Sequence, residues 1–135
     1  MPRNPRKDTK ALGKEIVEKD LVYAINACVF EVYRQLGHGF LEKVYENALV
    51  REFRNREIAV EAQVPFSVGY KGVIVGEYCA DLVVDDRVIV EVKAVERLHP
   101  AHEAQILNYL KATGKKVGLL VNFSHPKATV KRFVL

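Results

Sequence analysis

The stretch Tyr78-Cys79-Ala80-Asp81-Leu82-Val83-Val84-Asp85-Asp86-Arg87-Val88-Ile89-Val90-Glu91-Val92-Lys93 decides how this chain folds. Two apolar runs flank Asp85-Asp86, a pair suited to a tight hairpin turn. The runs read as strands over residues 73–84 and 87–95. Side chains alternate along a strand, so Glu91 and Lys93 share one face while Val88, Val90 and Val92 take the other. The hairpin is short enough for Asp81 to meet Glu91 across adjacent strands if the register allows. Asp81 sits between Ala80 and Leu82, where a charge is costly without a metal or a partner.

Working outward, residues 59–68 also alternate with period two. Gly69-Tyr70-Lys71-Gly72 joins them to residues 73–84, giving an antiparallel meander of three strands. Pro65 marks the first strand as partly an edge or broken. Downstream, Pro100 and Gly114 bracket a helix over residues 100–113. A buried strand follows over 116–123, carried by Val117, Leu119, Leu120 and Val121, then a short one over 129–135. Two helices precede the meander. The first covers residues 14–36, with Leu21, Ile25, Cys28, Val32 and Leu36 in one stripe and Gly37 as its stop. Gly37-His38-Gly39 is a hinge, and a second helix covers 41–55. Its apolar arc holds Leu41, Val44, Tyr45, Ala48, Leu49 and Phe53. Glu42 falls between Leu49 and Phe53, which directs a carboxylate along the buried side; Glu52 shares the arc. Apart from the leading helix, the order is α-β-β-β-α-β, a mixed α/β layer fold.

At 135 residues with 49% hydrophobic and 28% charged content, the chain fills one core but not two. Residues 1–12 are expected to form a flexible basic arm and 13–135 a single domain. No apolar run reaches the ~20 residues of a membrane span. The start, MPRNPRKDTKALGKE, has no apolar signal region, so a cytoplasmic location is expected. The net charge of +4 permits nucleic-acid binding without demanding it. Cys28 and Cys79 match no zinc spacing and have no close His partners, so both read as reduced core or near-core residues.

The carboxylates of Asp81 and Glu91 are what a hard divalent cation takes, and Mg²⁺ needs only one or two of them beside waters and a substrate phosphate. Such a metal lowers the pKa of a bound water and offsets charge on a scissile phosphate. Lys93 could hold or help deprotonate that water. On the next helix His102, Gln105 and Tyr109 lie on one face, able to orient substrate, water or a strand carboxylate. Their bland alternative is polar contact at the core edge. For Glu42 the alternative to metal or water binding is a buried salt bridge, and for Glu91-Val92-Lys93 it is an ordinary surface hairpin pair.

This constellation resembles the PD-(D/E)XK nuclease superfamily, in which an Asp on the second strand and an (Asp/Glu)-x-Lys on the third stand on an αβββαβ core with a mixed sheet. The corresponding residues are Asp81, Glu91 and Lys93; Ala80 replaces the proline of the name. Glu42 matches the helix-borne Glu, and Gln105-Ile106-Leu107-Asn108-Tyr109 resembles the Gln-x-x-x-Tyr motif of the RecB-type branch. Gly39-Phe40-Leu41-Glu42-Lys43-Val44-Tyr45 fits the signature of the GxxExxY family within that superfamily. The stretches 80–82, 89–96 and 102–105 also look like that family, so the resemblance covers roughly residues 15–135.

The resemblance implies a Mg²⁺-dependent nuclease, with Mn²⁺ fitting as well, that hydrolyses DNA phosphodiesters. Asp81, Glu91 and the Val92 carbonyl would bind metal, with Glu42 supporting metal or water. Lys93 would position water, and Gln105, Tyr109 and His102 would orient the site. The alternative is a non-cleaving module that grips nucleic acid or a protein on the same fold. A hydrolase of another phosphoester is a third. A homodimer or larger complex is compatible with the short chain, and the long first helix is the expected dimer contact.

Overall fold

A computed structural model gives the fold and describes residues 18–135. The expected basic arm and the first turn of the leading helix lie outside the described residues. Helix α1 (Lys19–Leu36) buries Leu21, Val22, Ile25, Cys28, Val29 and Val32, the stripe expected for its apolar spacing. Gly37 ends it at φ 67, with its N–H donating to the Tyr33 carbonyl at 2.7 Å. Helix α2 (Glu42–Asn55) follows, then strands β1 (Val60–Tyr70), β2 (Val73–Val84) and β3 (Val88–Lys93). Helix α3 (Pro100–Thr113) crosses to β4 (Val117–Phe123), and β5 (Ala128–Val134) closes the sheet. Among the described residues no helix is long and apolar enough to cross a membrane.

The five strands lie side by side in chain order. β3 and β4 are parallel and every other pair is antiparallel, so the sheet is mixed. The parallel pair requires a crossover, which α3 supplies. Asp85 and Asp86 both have positive φ, and the Arg87 N–H closes back on the Val84 carbonyl at 3.0 Å. The loop between the paired Val84 and Val88 holds three residues, and its two left-handed ones make the tight turn that joins the right-twisted strands. β4 is buried along its whole length, as a strand with neighbours on both sides and cover on both faces must be.

Helices α1 and α2 cover one face, where Tyr45, Leu49 and Phe53 meet Leu82, Val84, Val88, Val90 and Val92. Helix α3 covers the other, where Tyr109 and Leu110 meet Ala80, Val83 and Ile89. Gly118 of β4 allows α3 to approach closely: a Cβ there would lie 2.9 Å from Ile106. Ala80 and Val83 therefore share a cluster while Leu82 and Val84 share the opposite one. Strict alternation would not allow this, so the pleat of β2 slips at Asp81–Leu82. On β1 the residue across from the slip, Gln63, has φ 54, and the β1–β2 pairing passes from Ala62–Leu82 to Val64–Ala80 without it.

Of the two readings of Pro65, the edge one holds: β1 runs unbroken through it as an edge strand. Two local expectations are corrected. β3 ends at Lys93 rather than at residue 95, because the Asn122 side chain takes over the role of a neighbouring strand. Its Oδ1 accepts the Val95 N–H at 3.0 Å and its Nδ2 donates to the Val95 carbonyl at 2.9 Å. Cys28 is buried as expected, but Cys79 is exposed, because it alternates with Tyr78 and Ala80, which pack against α3 on the opposite face.

Candidate active site

The β2–β3 ladder has three pairs and stops at Leu82–Val90. Continued by one step, its register sets Asp81 opposite Glu91. Side chains replace the missing ladder bonds. Asp81 Oδ2 accepts the Val92 N–H at 2.9 Å, and the Asp81 N–H approaches Glu91 Oε2 at 3.4 Å. The strands have parted just enough to seat two carboxyl groups between them. Glu91 is only 3% exposed, and its Oε1 is buried without a hydrogen-bond partner. Burial pushes its pKa up to about 9, with the adjacent Asp81 carboxyl adding to the shift and Lys93 opposing it.

Asp81 opens into a pocket of about 210 Å³ that it shares with Glu42, Lys43, Glu46, Gln63 and Val92. The wheel placed Glu42 along the buried side of α2; it is exposed instead. Its angle is right, but it is the first residue of α2, where the helix has not yet reached the sheet. One turn further in, Glu46 is buried at 4%. Glu46 accepts from Lys43 Nζ at 2.6 Å and from Gln63 Nε2. The Glu46 hydrogen bond raises the Lys43 pKa, and Asp81 contributes to the same shift. Sequence reasoning missed Glu46, Lys43 and Gln63. The available signal was that Glu46 lies beside Phe53 at the margin of the apolar arc.

Lys93 is half-buried at the end of β3, on the strand face of Glu91. Among the described residues no carboxylate forms an ion pair with it, so its ammonium remains available at the site. Gln105 donates to the Tyr109 hydroxyl at 2.7 Å. Burial raises the Tyr109 pKa, and the charges of Glu91 and Asp81 add to it, which ties α3 electrostatically to the carboxylate pair. His102 has a local partner: its Nδ1 accepts the His99 N–H at 3.1 Å, while His99 caps the Ala101 N–H at 3.0 Å. That reciprocal arrangement is a capping box, which satisfies amides at the start of α3.

The residues of the second-helix signature hold the hinge. The Tyr45 hydroxyl donates to the Gly37 carbonyl at 2.7 Å and accepts the Phe40 N–H at 3.2 Å. Its ring stacks on Phe123 with centroids 4.3 Å apart. Gly39 has φ 108, a conformation that a side chain disfavours. Together they fix the loop that leads into Glu42.

A carboxylate pair on the second and third strands, a lysine beside it, and flanking helices on both faces set this fold against known proteins. The family model described as the PD-(D/E)XK nuclease superfamily matches residues 19–133. The chain belongs to the PD-(D/E)XK nuclease superfamily. No curated protein matches it. The solved structure of SSO0001 superposes with a TM-score of 0.56 at 15% identity, over 69% of this chain and 50% of that one. An alkaline exonuclease (LHK-Exo) from Laribacter hongkongensis gives a TM-score of 0.41 at 13% identity, over 68% of this chain and 55% of that one. The chain thus spans about half the length of these solved structures, and SSO0001 bears on the fold alone.

PD-(D/E)XK nucleases generally use divalent metal ions such as Mg²⁺ or Mn²⁺. The residues present fit such an ion. The unpartnered Glu91 Oε1 is an oxygen donor buried without compensation, and Asp81 stands beside it with its carboxylate at the pocket wall. Among the described residues there is no cluster of three or more His, Cys, Asp or Glu placed to hold a metal. The site is therefore a carboxylate pair, which suits an ion that keeps several waters.

Proposed function

We propose that this chain is a metal-dependent nuclease that hydrolyses DNA phosphodiester bonds, and that it belongs to the GxxExxY branch through Gly39, Glu42 and Tyr45. The observation that carries this reading is the Asp81–Glu91 pair, seated where the β2–β3 ladder ends, with one Glu91 oxygen buried and unpartnered. Asp81, Glu91 and the Val92 carbonyl would hold Mg²⁺ or Mn²⁺. When bound, the ion would lower the pKa of a water and neutralise charge on the scissile phosphate.

The chain's own groups divide the remaining work. Lys93 positions the attacking water and stabilises the charge that develops on the phosphate. Glu42, exposed at the pocket mouth, is the outer carboxylate for metal-bound water. Gln105 and Tyr109 act as a pair on the α3 side, where they orient substrate or the carboxylates. His102 joins them only if substrate draws its ring away from the helix cap. Electropositive groups such as Lys43 meet the DNA backbone.

The second reading is a non-cleaving module that binds nucleic acid or protein on the same fold. A cleavage assay decides between them. Linear, circular, single-stranded and branched DNA and RNA are incubated with Mg²⁺, with Mn²⁺ and with EDTA, beside Lys93→Ala and Asp81→Ala proteins. Metal-dependent cutting of DNA that disappears in both variants is the expected result. Tight metal-independent binding with no cutting of any substrate would overturn the nuclease reading in favour of the binding module.

A further inference from the structure

The β1–β2 hairpin reaches well past its neighbours. The ladder to β3 stops at Leu82, so residues 64–70 and 73–80 hydrogen-bond only to one another, as a ribbon two strands wide. At about 3.3 Å per residue, the strand from Asp81 back to Val73 spans roughly 26 Å. β3 runs the opposite way and delivers Lys93 toward the same end. The ribbon is therefore an arm that starts at the candidate site and overhangs its open side.

Its base is braced and its tip is apolar. Phe66 and Tyr78 stack with centroids 5.5 Å apart, and each meets the Tyr109 ring edge-on, at 5.3 and 5.6 Å. At the far end Tyr70, Val73, Ile74 and Val75 are 60–62% exposed. Four adjacent exposed apolar side chains at the tip of a hairpin are costly without an occupant. Lys71 sits over the Tyr70 ring at 5.3 Å, and Lys111 lines the groove between ribbon and α3 with Ser67 and Asn108. Neither lysine has an ion-pair partner among the described residues. The ribbon's acid, Glu77, lines a separate pocket with Pro65 and Cys79.

A second copy adding a strand to β1 is disfavoured. Pro65 offers no N–H, and Gln63 in a left-handed conformation interrupts the same edge. Duplex nucleic acid fits better. A two-stranded ribbon enters a DNA groove, apolar side chains at such a tip unstack base steps, and unpaired lysines meet flanking phosphates. We infer that the β1–β2 ribbon is a duplex-binding arm, whose Tyr70, Val73, Ile74 and Val75 tip wedges into the base stack roughly 26 Å from the cleavage site. The inference rests on the nuclease reading for its substrate class, but binding can be measured without cleavage.

The test uses a duplex carrying 2-aminopurine and a matching single strand, both in EDTA. Val73→Thr/Ile74→Thr/Val75→Thr keeps β-branched residues at exposed positions, and Lys71→Ala serves as an independent variant. Wild-type binding is expected to raise 2-aminopurine fluorescence in the duplex. The triple variant should bind duplex about tenfold more weakly and lose that rise, at unchanged single-strand affinity. Lys71→Ala should lower the salt dependence of binding by about one phosphate contact. Unchanged duplex binding and fluorescence in the triple variant would overturn the arm, and would leave the nuclease reading intact if metal-dependent cutting persists. Tip-dependent unstacking without cutting in any metal would uphold the arm while the nuclease reading falls. A wild-type dimer that the triple variant converts to monomer, with DNA binding unaltered, would overturn the arm in favour of a protein contact.

Discussion

Asp81 and Glu91 face one another one step beyond the last ladder pair of β2 and β3, close enough that the Asp81 N–H points at Glu91 Oε2. Two carboxyl groups in one desolvated gap cannot both be charged cheaply. Glu91, at about 9, therefore keeps its proton over most of the neutral range when no cation is present. The end of one strand pairing thus creates both an oxygen-rich seat and the electrostatic demand for a counter-ion.

That demand makes stability depend on pH. An unfolded Glu91 ionises near 4.5, whereas the folded one holds its proton to about 9. The unfolded state therefore binds fewer protons across that interval, and the contribution of Glu91 to stability falls as pH rises from about 4.5 to about 9. Thermal melts in EDTA should show Tm declining over this window, and Glu91→Gln should flatten the decline. Added Mg²⁺ should raise Tm more at pH 8 than at pH 5, since only the ionised pair binds it well. Equal slopes for wild type and Glu91→Gln would remove Glu91 as the cause.

Lys93 is predicted to matter for rate rather than for folding. It is half-buried and has no ion-pair partner among the described residues, so its removal deletes little native structure. Lys93→Ala should fold with Tm near that of wild type and should bind metal undiminished, by calorimetry. Its cleavage rate should fall about 100- to 10,000-fold, the usual contribution of a positioned proton-handling group. A large fall in Tm instead would mean that the lysine is structural.

Glu46 should separate stability from affinity. It is buried and accepts from both Lys43 and Gln63. Gln63 is itself exposed, so after Glu46→Ala its amide can turn to water, and the loss should be about 0.5–1.5 kcal/mol in urea unfolding. Glu46→Gln, of the same shape, should recover much of that loss but release Lys43. Lys43→Ala leaves the buried Glu46 carboxylate without its cation, so it should both lower the urea midpoint and weaken binding of DNA at low salt. Unchanged DNA binding at low salt in Lys43→Ala would remove this lysine from the interface.

How the chain would fold was largely written in its periodicities. Pro100 and Gly114 bounded α3, Asp85-Asp86 placed the hairpin, and the valines of residues 88–92 marked β3's core face. The carboxylate on α2 was harder to read. A helical wheel reports direction, not how far along the helix the sheet extends beneath it, so Glu42 looked buried and Glu46 went unremarked. The pleat slip at Asp81 left no local trace either. It depends on Gln63 adopting a left-handed conformation on another strand, a tertiary choice for a residue type that has alternatives. His102 shows the same limit, since its position on the α3 face was visible but its use in a cap depends on His99.

Asn122 offers a test of how the chain is held after Lys93. Its side chain both accepts from and donates to the Val95 backbone, and it is 3% exposed. Asn122→Ala strips two bonds from a half-buried backbone and should cost about 1–3 kcal/mol. Because Val95 lies two residues beyond Lys93, activity should fall further than the folded fraction does. Asn122→Asp is more informative. It keeps the acceptor for the Val95 N–H but sets a carboxylate oxygen against the Val95 carbonyl. Protonating the new Asp restores a donor, so the folded state should raise its pKa above the unfolded value. The variant's deficit should then be small at low pH and grow as pH rises through that raised pKa. Urea midpoints across this range measure the growth. A deficit independent of pH would show that the Val95 carbonyl does not depend on the Asn122 donor.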